Sequence, residues 1–200
     1  TLGIADAPYE ALSQGLKDHL TEYYRVDNME DYDQVYRAVA YFASKYGRID
    51  RIESHNEYWL ELDARLRTDF NVFGYKNEDM LAIKTKAKMK EIFRQSGLKV
   101  ARGQVFHSDD QARKLAQELG FPVIIKPNSG VGASDTYKIK SPKELEDFFT
   151  YQTPGVEYIM EEFIDGDIVT FDGLTDHDGK IVFYASLEYS EAVLDTVEKD

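Results

Sequence analysis

Apolar residues recur along the first part of the chain with two alternating periods, one typical of strands and one of helices. Short runs of branched and aromatic residues predict strands, and leucines or valines three or four residues apart predict amphipathic helices. The predicted order is strand 2–5, helix 9–20, strand 23–26, helix 31–46, strand 49–52 and helix 57–70. This alternation favours a parallel, doubly wound α/β sheet. Three strands are few for such a sheet, so we expect a further strand and helix upstream of Thr1.

The second part of the chain has a different pattern, in which strands and helices enclose a glycine-containing loop. A helix over residues 77–96, broken near its start, ends at Gly97, which suits the position after a helix. Ser108 and Ser141 each begin a capping box, which predicts a helix start. The other predicted elements are strands 103–106, 121–126 and 156–160, a strand through Tyr137 and Ile139, and strands 169–174 and 180–186.

The composition is that of an ordinary globular protein, with room for one or two domains in 200 residues. The net charge of -13 argues against non-specific binding to nucleic acid or to anionic membranes. The absence of cysteine excludes disulfides, thiolate zinc sites and a cysteine nucleophile. We see no apolar run long enough to span a bilayer and no signal-peptide pattern, so a cytoplasmic location is expected.

The stretch from Phe121 to Lys140 carries the strongest chemical signal. A buried strand ends at Lys126, and the loop that follows contains Gly130 and Gly132. A phosphate-binding loop needs exposed backbone N–H groups and a nearby cation, which such glycines and such a lysine supply. From the loop alone, a glycine-containing hairpin turn with a solvated lysine is an equally good interpretation. The chain contains neither GxxxxGK[ST] nor GxGxxG.

The sequence PVIIKPNSGVGASD resembles the lysine strand and glycine-rich loop of the ATP-grasp superfamily. The enzymes of this superfamily are ligases that clamp ATP between two α+β lobes. The resemblance is to the members similar to biotin carboxylase and carbamoyl-phosphate synthetase. It implies an α/β fold in which a partial, doubly wound pre-ATP-grasp domain precedes an α+β small lobe and the start of a large lobe. The implied segments are 1–76 for the N-terminally incomplete pre-ATP-grasp domain, 77–101 for a linker helix, 102–163 for the small lobe and 164–200 for a truncated large lobe.

The resemblance also implies a set of nucleotide contacts. A lysine at the start of the helix before Gly97 would reach a phosphate, and Lys86 fits, with Lys84 or Lys88 as alternatives if the alignment shifts by half a turn. In the hinge segment MEEFIDG, Glu161 and the carbonyl of Glu162 would face the adenine N6 amino group. The full set of implied cofactor-binding residues is Lys86, Lys126, Ser129, Gly130, Gly132, Ser134, Glu161, Glu162, Phe163, Ile164 and Asp167.

One position departs from the family pattern. Where the family usually has a glutamate for the ribose hydroxyls, this chain has Ile168, so ribose binding is either altered or carried by Asp167. Two further clusters invite functional interpretations. His55 and Glu57 follow a predicted strand, where open α/β sheets bind ligands, but the favoured interpretation is that Asn56 or His55 simply ends that strand and starts the next helix. The run 176–178, Asp-His-Asp, resembles a metal cluster, but a solvated turn is the favoured interpretation, and we predict no metal ligand in this chain.

Together these patterns predict an ATP-dependent ligase that activates a carboxylate as an acylphosphate for attack by an amine or another nucleophile. The expected cofactors are ATP and Mg²⁺, with the metal ligands and the catalytic arginine beyond Asp200, so the 200-residue chain alone is expected to be inactive. The expected partners are a small carboxylate, a nucleophile and a second copy of the chain in a homo-oligomer. The alternative is a non-catalytic nucleotide-binding or interaction module with the same fold.

Overall fold

A computed structural model of the chain describes residues 1–130 and 135–190. It has a mixed α/β architecture, as the sequence predicts, and divides into two compact units, the first spanning Thr1–Leu81 and the second beginning at Ala82. The predicted domain boundaries at residues 76, 101 and 163 remain predictions. No helix in the described ranges is long and apolar enough to cross a membrane.

The first unit contains one small parallel sheet and the helices that follow its strands. Strand β1 pairs in parallel with β2, and the buried face of α2 packs with α3 around Val35, Val39 and Leu66. The elements are β1 (Leu2–Ala5), a 3₁₀ helix (Tyr9–Ala11), α1 (Gln14–His19), β2 (Glu22–Arg25), α2 (Tyr32–Tyr46), a 3₁₀ helix (Glu57–Trp59), α3 (Leu60–Asp69) and α4 (Asn77–Lys84), which runs past Leu81.

The predicted strand over residues 49–52 is wrong, because no strand forms there in the described residues. Ile49 and Ile52 do pack against the core of the first unit, which explains their apolar character. The Ile52 carbonyl, however, accepts hydrogen bonds from the buried Arg67 guanidinium at 2.8 and 2.5 Å, instead of from a neighbouring strand. Only the helix start in the favoured interpretation of the next segment is observed: the Asn56 side chain caps it by accepting from the Tyr58 N–H, and no strand directly precedes it in the part of the chain that the structure describes.

The predicted helix over residues 9–20 is interrupted at Leu12 and Ser13. Leu12 has an extended backbone, and the Ser13 side chain accepts a hydrogen bond from the Leu16 N–H at 3.3 Å. A serine that caps a helix in this way begins a new one at the next residue. Of the three leucines whose spacing predicts the helix, only Leu16 lies within α1, and Leu12 and Leu20 lie at cap positions outside it.

The second unit is built on a four-stranded antiparallel sheet with strand order β3-β6-β4-β5. Ser108 and Ser141 cap α6 and α7 as the sequence predicts, each by accepting a hydrogen bond from a backbone N–H three residues on. The predicted helix 77–96 is broken at Thr85, between α4 and α5. The elements are α5 (Lys86–Gln95), β3 (Gly103–Phe106), α6 (Asp109–Leu119), β4 (Val123–Pro127), β5 (Tyr137–Ile139), α7 (Pro142–Tyr151), β6 (Tyr158–Glu162), β7 (Val169–Thr175) and β8 (Ile181–Glu188).

The two faces of this sheet have different roles. Tyr158 and Met160 of the central strand β6 point to one face, where they pack with α6 and α7 in the main apolar core. Ile159 and Glu161 alternate with them and therefore point to the opposite face. Strands β7 and β8 form a separate antiparallel hairpin whose side chains are almost all exposed.

Gly103 allows β3 to approach β6 closely. The register pairs Gly103 with Glu161, and a Cβ atom built on Gly103 would lie 2.2 Å from the Met160 carbonyl oxygen and 2.7 Å from the Glu161 Cα. Both neighbours are backbone atoms of the central strand, so neither can rotate away. A side chain at position 103 would therefore have to push the two strands apart.

We predict that Gly103→Ala destabilises the protein by about 1–3 kcal/mol, the usual cost of overpacking. Thermal unfolding followed by circular dichroism should show a Tm lower by several degrees. Gly166→Ala is the matched control, because a Cβ there meets open space. An equal Tm for the two alanine variants would show that the β3–β6 approach tolerates a side chain.

Candidate functional site

The candidate site is centred on Glu161, a carboxylate buried on the face of the sheet opposite the main core. Glu161 is 4% exposed and lies between Gly103 on β3 and Ile124 on β4. Lys126 pairs with Ile159 in the β4–β6 ladder, two residues away along β6. Because side chains two residues apart share a face, this register brings the Lys126 and Glu161 side chains together.

Two lysines contact the Glu161 carboxylate. Lys126 Nζ lies 2.8 Å from Oε2, and Lys90 Nζ, on α5, lies 2.8 Å from Oε1. The Lys90 contact is an ion pair between two largely buried groups. Lys90 Nζ also donates to the Ala101 carbonyl at 3.1 Å. The cluster of Lys90, Glu161 and Lys126 is called the lysine–glutamate triad below.

The lysine–glutamate triad carries an excess of positive charge. Burial by itself would raise the pKa of Glu161, but the contacts with Lys126 and Lys90 outweigh it and hold that pKa below its ordinary value of 4.5. Glu161 is therefore ionised at neutral pH, and two ammonium groups face one carboxylate. The Lys126 side chain is 26% exposed, so the uncompensated positive charge is accessible from solvent at that end of the triad.

The start of α5 is attached to the loop that follows β4. The carbonyl of the buried Asn128 accepts from the Lys86 N–H at 2.8 Å, and its side-chain oxygen accepts from the Ala87 N–H at 2.9 Å. Thr85 forms an isolated antiparallel bridge with Ser129. These contacts satisfy N–H groups in the first turn of the helix, which otherwise lack partners. They also fix the loop relative to α5.

The side chain of Lys86 reaches this loop. Its Nζ donates a hydrogen bond to the Gly130 carbonyl at 3.0 Å. Lys88, one of the alternatives, instead pairs with Glu91 on an exposed face of the helix. Gly130 has a φ of 118°, which disfavours any residue with a side chain. The structure thus brings Lys86, at the start of α5, together with Ser129 and Gly130 of the loop, while the predicted contacts Gly132 and Ser134 lie outside the described residues.

The predicted hinge segment continues from the triad. Glu162 accepts two hydrogen bonds from Arg102, one from the backbone N–H and one from Nε, both at 2.7 Å. Lys138 Nζ lies 3.6 Å from the centre of the Phe163 ring, a cation–π contact. Ile164 is 63% exposed, and its N–H has no acceptor among residues 1–130 and 135–190. Asp167 is exposed.

The acidic turn between β7 and β8 is held by its own hydrogen bonds. The Asp176 carboxylate accepts from the Asp178 and Lys180 N–H groups at 3.0 and 2.9 Å. Ligand atoms of Asp176, His177 and Asp178 come within 4.8 Å of one another. His177 and Asp178 are about three-quarters exposed, which agrees with the favoured interpretation as a solvated turn.

Sequence reasoning missed three residues that organise the site. Lys90 is four residues after Lys86 and so shares its helix face, a spacing that could have identified it. Gly103 and Asn128 gave no such signal. Asn128 is held by Glu157, whose carbonyl and carboxylate both bond to it, and this pairing depends on the β4–β6 register.

We predict a pH signature for Glu161. Since its pKa is lowered on folding, the triad stabilises the protein above pH 4.5, and this stabilisation is lost as the pH falls through the lower, folded pKa. The Tm deficit of Glu161→Gln relative to the unchanged chain should therefore be largest near pH 7 and shrink toward pH 3. Glu118→Gln, at an exposed helix position, is the control. A Tm deficit that stays constant over this range would contradict the assignment.

Comparison with known proteins gives matches in sequence and in structure. The family described as carbamoyl-phosphate synthase L chain, ATP binding domain, matches residues 85–196. The carbamoyl phosphate synthase large chain of Thermotoga petrophila is 27% identical over 120 residues, covering 58% of this chain and 11% of the relative. An L-arginine-specific L-amino acid ligase of Bacillus subtilis is 29% identical over 142 residues, covering 71% of this chain and 33% of the relative.

The fold has matches among solved structures as well. The biotin carboxylase domain dimer of 2-oxoglutarate carboxylase from Hydrogenobacter thermophilus, solved with MgADP, ADP and bicarbonate, matches with a TM-score of 0.69 at 19% identity. That match covers 90% of this chain and 42% of the other. The chain thus spans at most a third of the two sequence relatives and less than half of this structure. With more than half of its length matched by the family model, the chain belongs to the ATP-grasp ligases, in the family described as carbamoyl-phosphate synthase L chain, ATP binding domain.

Proposed function

We propose that the chain is the nucleotide-binding part of an ATP-dependent ligase that activates a small carboxylate as an acylphosphate for attack by an amine or another nucleophile. The observation that carries the proposal is the excess positive charge of the lysine–glutamate triad beside the glycine loop. Family membership supports ligase chemistry of this class. Because the chain covers only part of its relatives, the activity of the whole protein is part of the proposal.

The triad suits the binding of a polyphosphate. Lys126 belongs to β4, an inner strand of the four-stranded sheet. Its ammonium group is therefore positioned by a rigid element and not by a loop. Lys86 lies on the loop carbonyl of Gly130, and a phosphate could take the place of that carbonyl as acceptor. Phosphoryl transfer depends mainly on positioning and on neutralising charge. We expect Lys126 and Lys86 to position the phosphates and to neutralise their charge.

The segment Glu161 to Ile164 is the proposed adenine contact. Adenine needs an acceptor for its N6 amino group and a donor for N1. The Ile164 N–H is a donor on an exposed residue, and the Glu162 carbonyl is the proposed acceptor. Phe163 and Ile164 would provide apolar surface for the ring. The Glu161 carboxylate is held by two lysines here, so its proposed contact with N6 requires one oxygen to accept an additional donor.

The carboxylates described beside Lys126 do not fit a magnesium site. Both oxygens of Glu161 contact lysines, and Glu157 is bonded to the Asn128 side chain. The two ammonium groups on Glu161 would repel a divalent cation, and Mg²⁺ needs several oxygen ligands in near-octahedral geometry, which the described residues do not offer here. Mg²⁺ therefore enters the proposal as a cofactor bound with the nucleotide, and the Asp176–Asp178 turn is not proposed as its site. Ribose binding by Asp167 and self-association of the whole protein also remain proposals.

The first test of the proposed function concerns Lys126. Isothermal titration calorimetry of the chain with MgATP should show binding, and Lys126→Ala should weaken it by about 10- to 100-fold. That loss corresponds to a charge-assisted contact of roughly 1.5–3 kcal/mol. Lys143→Ala, an exposed lysine on α7, is the charge-matched control. Equal affinity of the Lys126 and Lys143 variants for MgATP would contradict a phosphate contact at Lys126.

The second test concerns the base. Guanine has an acceptor where adenine has the N6 amino group and a donor where adenine has N1, so the proposed hinge contacts should reject it. Competition titrations should show that ATP binds at least tenfold more tightly than GTP, since a mismatched hydrogen-bonding pattern leaves groups unpaired. Inorganic triphosphate, which has the same phosphates and no base, measures the contribution that does not depend on the hinge. Equal affinities for ATP and GTP would refute the hinge assignment without affecting the Lys126 result.

A further inference from the structure

Lys90 has no role in the proposed nucleotide contacts, although it is the more enclosed of the two lysines of the triad. Its side chain is 13% exposed, against 26% for Lys126. Its ammonium group contacts the Ala101 carbonyl and the Glu161 carboxylate, at 3.1 and 2.8 Å. Both partners are part of the protein, and both are fixed, one in the segment before β3 and the other on the central strand. Lys90 therefore has little freedom to turn toward a bound ligand.

Lys126 faces a conflict if it is to bind a phosphate. Its ammonium group is already paired with Glu161, which is 4% exposed. If a buried carboxylate loses its only cation, the protein is strongly destabilised, because the remaining charge is left without a partner and without water. A phosphate would then have to compete with Glu161 for Lys126, and part of the binding free energy would be spent on breaking the pair.

A second cation on the same carboxylate removes this conflict. Lys90 approaches the opposite oxygen of Glu161 from the one that Lys126 contacts. When Lys126 moves away, Glu161 keeps one ion pair at 2.8 Å and is still neutralised. The Ala101 carbonyl holds Lys90 in place during this exchange, since it is a neutral backbone acceptor that does not depend on Lys126.

We propose that Lys90 is a positioning residue that acts as the permanent counter-ion of Glu161, so that Lys126 can transfer from Glu161 to an anionic ligand. The identity of that ligand as the phosphates of ATP rests on the proposed function. The release of Lys126 from Glu161 does not, because it is a property of the three side chains alone. Lys90 itself makes no contact with the ligand.

The first experiment measures this release without any nucleotide. A double-mutant cycle compares the Tm of the chain with Lys90→Met, Lys126→Met and the double variant, at pH 8 so that Glu161 stays ionised. With Lys90 present, Lys126→Met should lower the Tm by only a few degrees. With Lys90 replaced by Met, the same change should lower the Tm by roughly 10 °C, because Glu161 is left buried and unpaired.

Two controls identify the charge as the cause. Lys88→Met removes a lysine from the exposed face of the same helix, and the Lys126→Met loss should be unchanged in that background. Lys90→Arg keeps a cation at position 90, so the Tm loss caused by Lys126→Met should stay small in that background. If the double methionine variant does not fold, adding Glu161→Gln should restore folding by removing the uncompensated charge. Tm losses that simply add, or a triple variant that also fails to fold, would overturn the proposal.

The second experiment measures the consequence for the ligand. In calorimetric titrations with MgATP, Lys90→Met should bind about tenfold more weakly than the unchanged chain, since Lys126 is then retained by Glu161. Lys90→Arg should stay within about threefold, and Lys88→Met should be unaffected. Unweakened binding by Lys90→Met would overturn the proposal. If the unchanged chain does not bind MgATP, the proposed function fails, and the stability cycle by itself decides the role of Lys90.

Discussion

The buried carboxylate of Glu161 is the constraint on which the second unit depends. An ionised group that is 4% exposed must be paired, and its partners come from β4 and from α5. The third neighbour, β3, approaches so closely that only a glycine fits opposite Glu161. One side chain therefore relates a helix and three strands to one another on the face of the sheet that the apolar core does not cover.

The triad also reconciles the acidic composition of the chain with the anionic ligand proposed for it. The net charge of -13 produces a field that repels nucleotides at long range. Salt screens that field within about 10 Å, whereas charges in a partly buried site are screened much less. Two lysines against one glutamate leave a local positive charge at the strand end. Local arrangement, and not the overall charge, therefore determines what the site attracts.

The start of the loop after β4 is held by hydrogen bonds of Asn128 to two neighbouring segments. Asn128 holds the first turn of α5 and is itself held by Glu157, so the beginning of the loop is part of the packed unit. Beyond it, Gly130 adopts a conformation that a side chain would strain. A fixed start followed by a conformationally permissive glycine suits the phosphate-binding role proposed for this loop.

The sequence by itself determined the elements whose signals are local. Strands 2–5 and 103–106 and the serine caps at Ser108 and Ser141 follow from alternation and from hydrogen bonds within a few residues, and the structure confirms them. The resemblance around Lys126 identified the family for the same reason, because the lysine and the glycines are adjacent in the chain. Tertiary structure decided the rest. Ile49 and Ile52 pack against the core without forming a strand, because Arg67 binds the Ile52 carbonyl that a strand ladder would use. Lys90 and Glu161 are distant in sequence, and only the packing of α5 against the central strand makes them an ion pair.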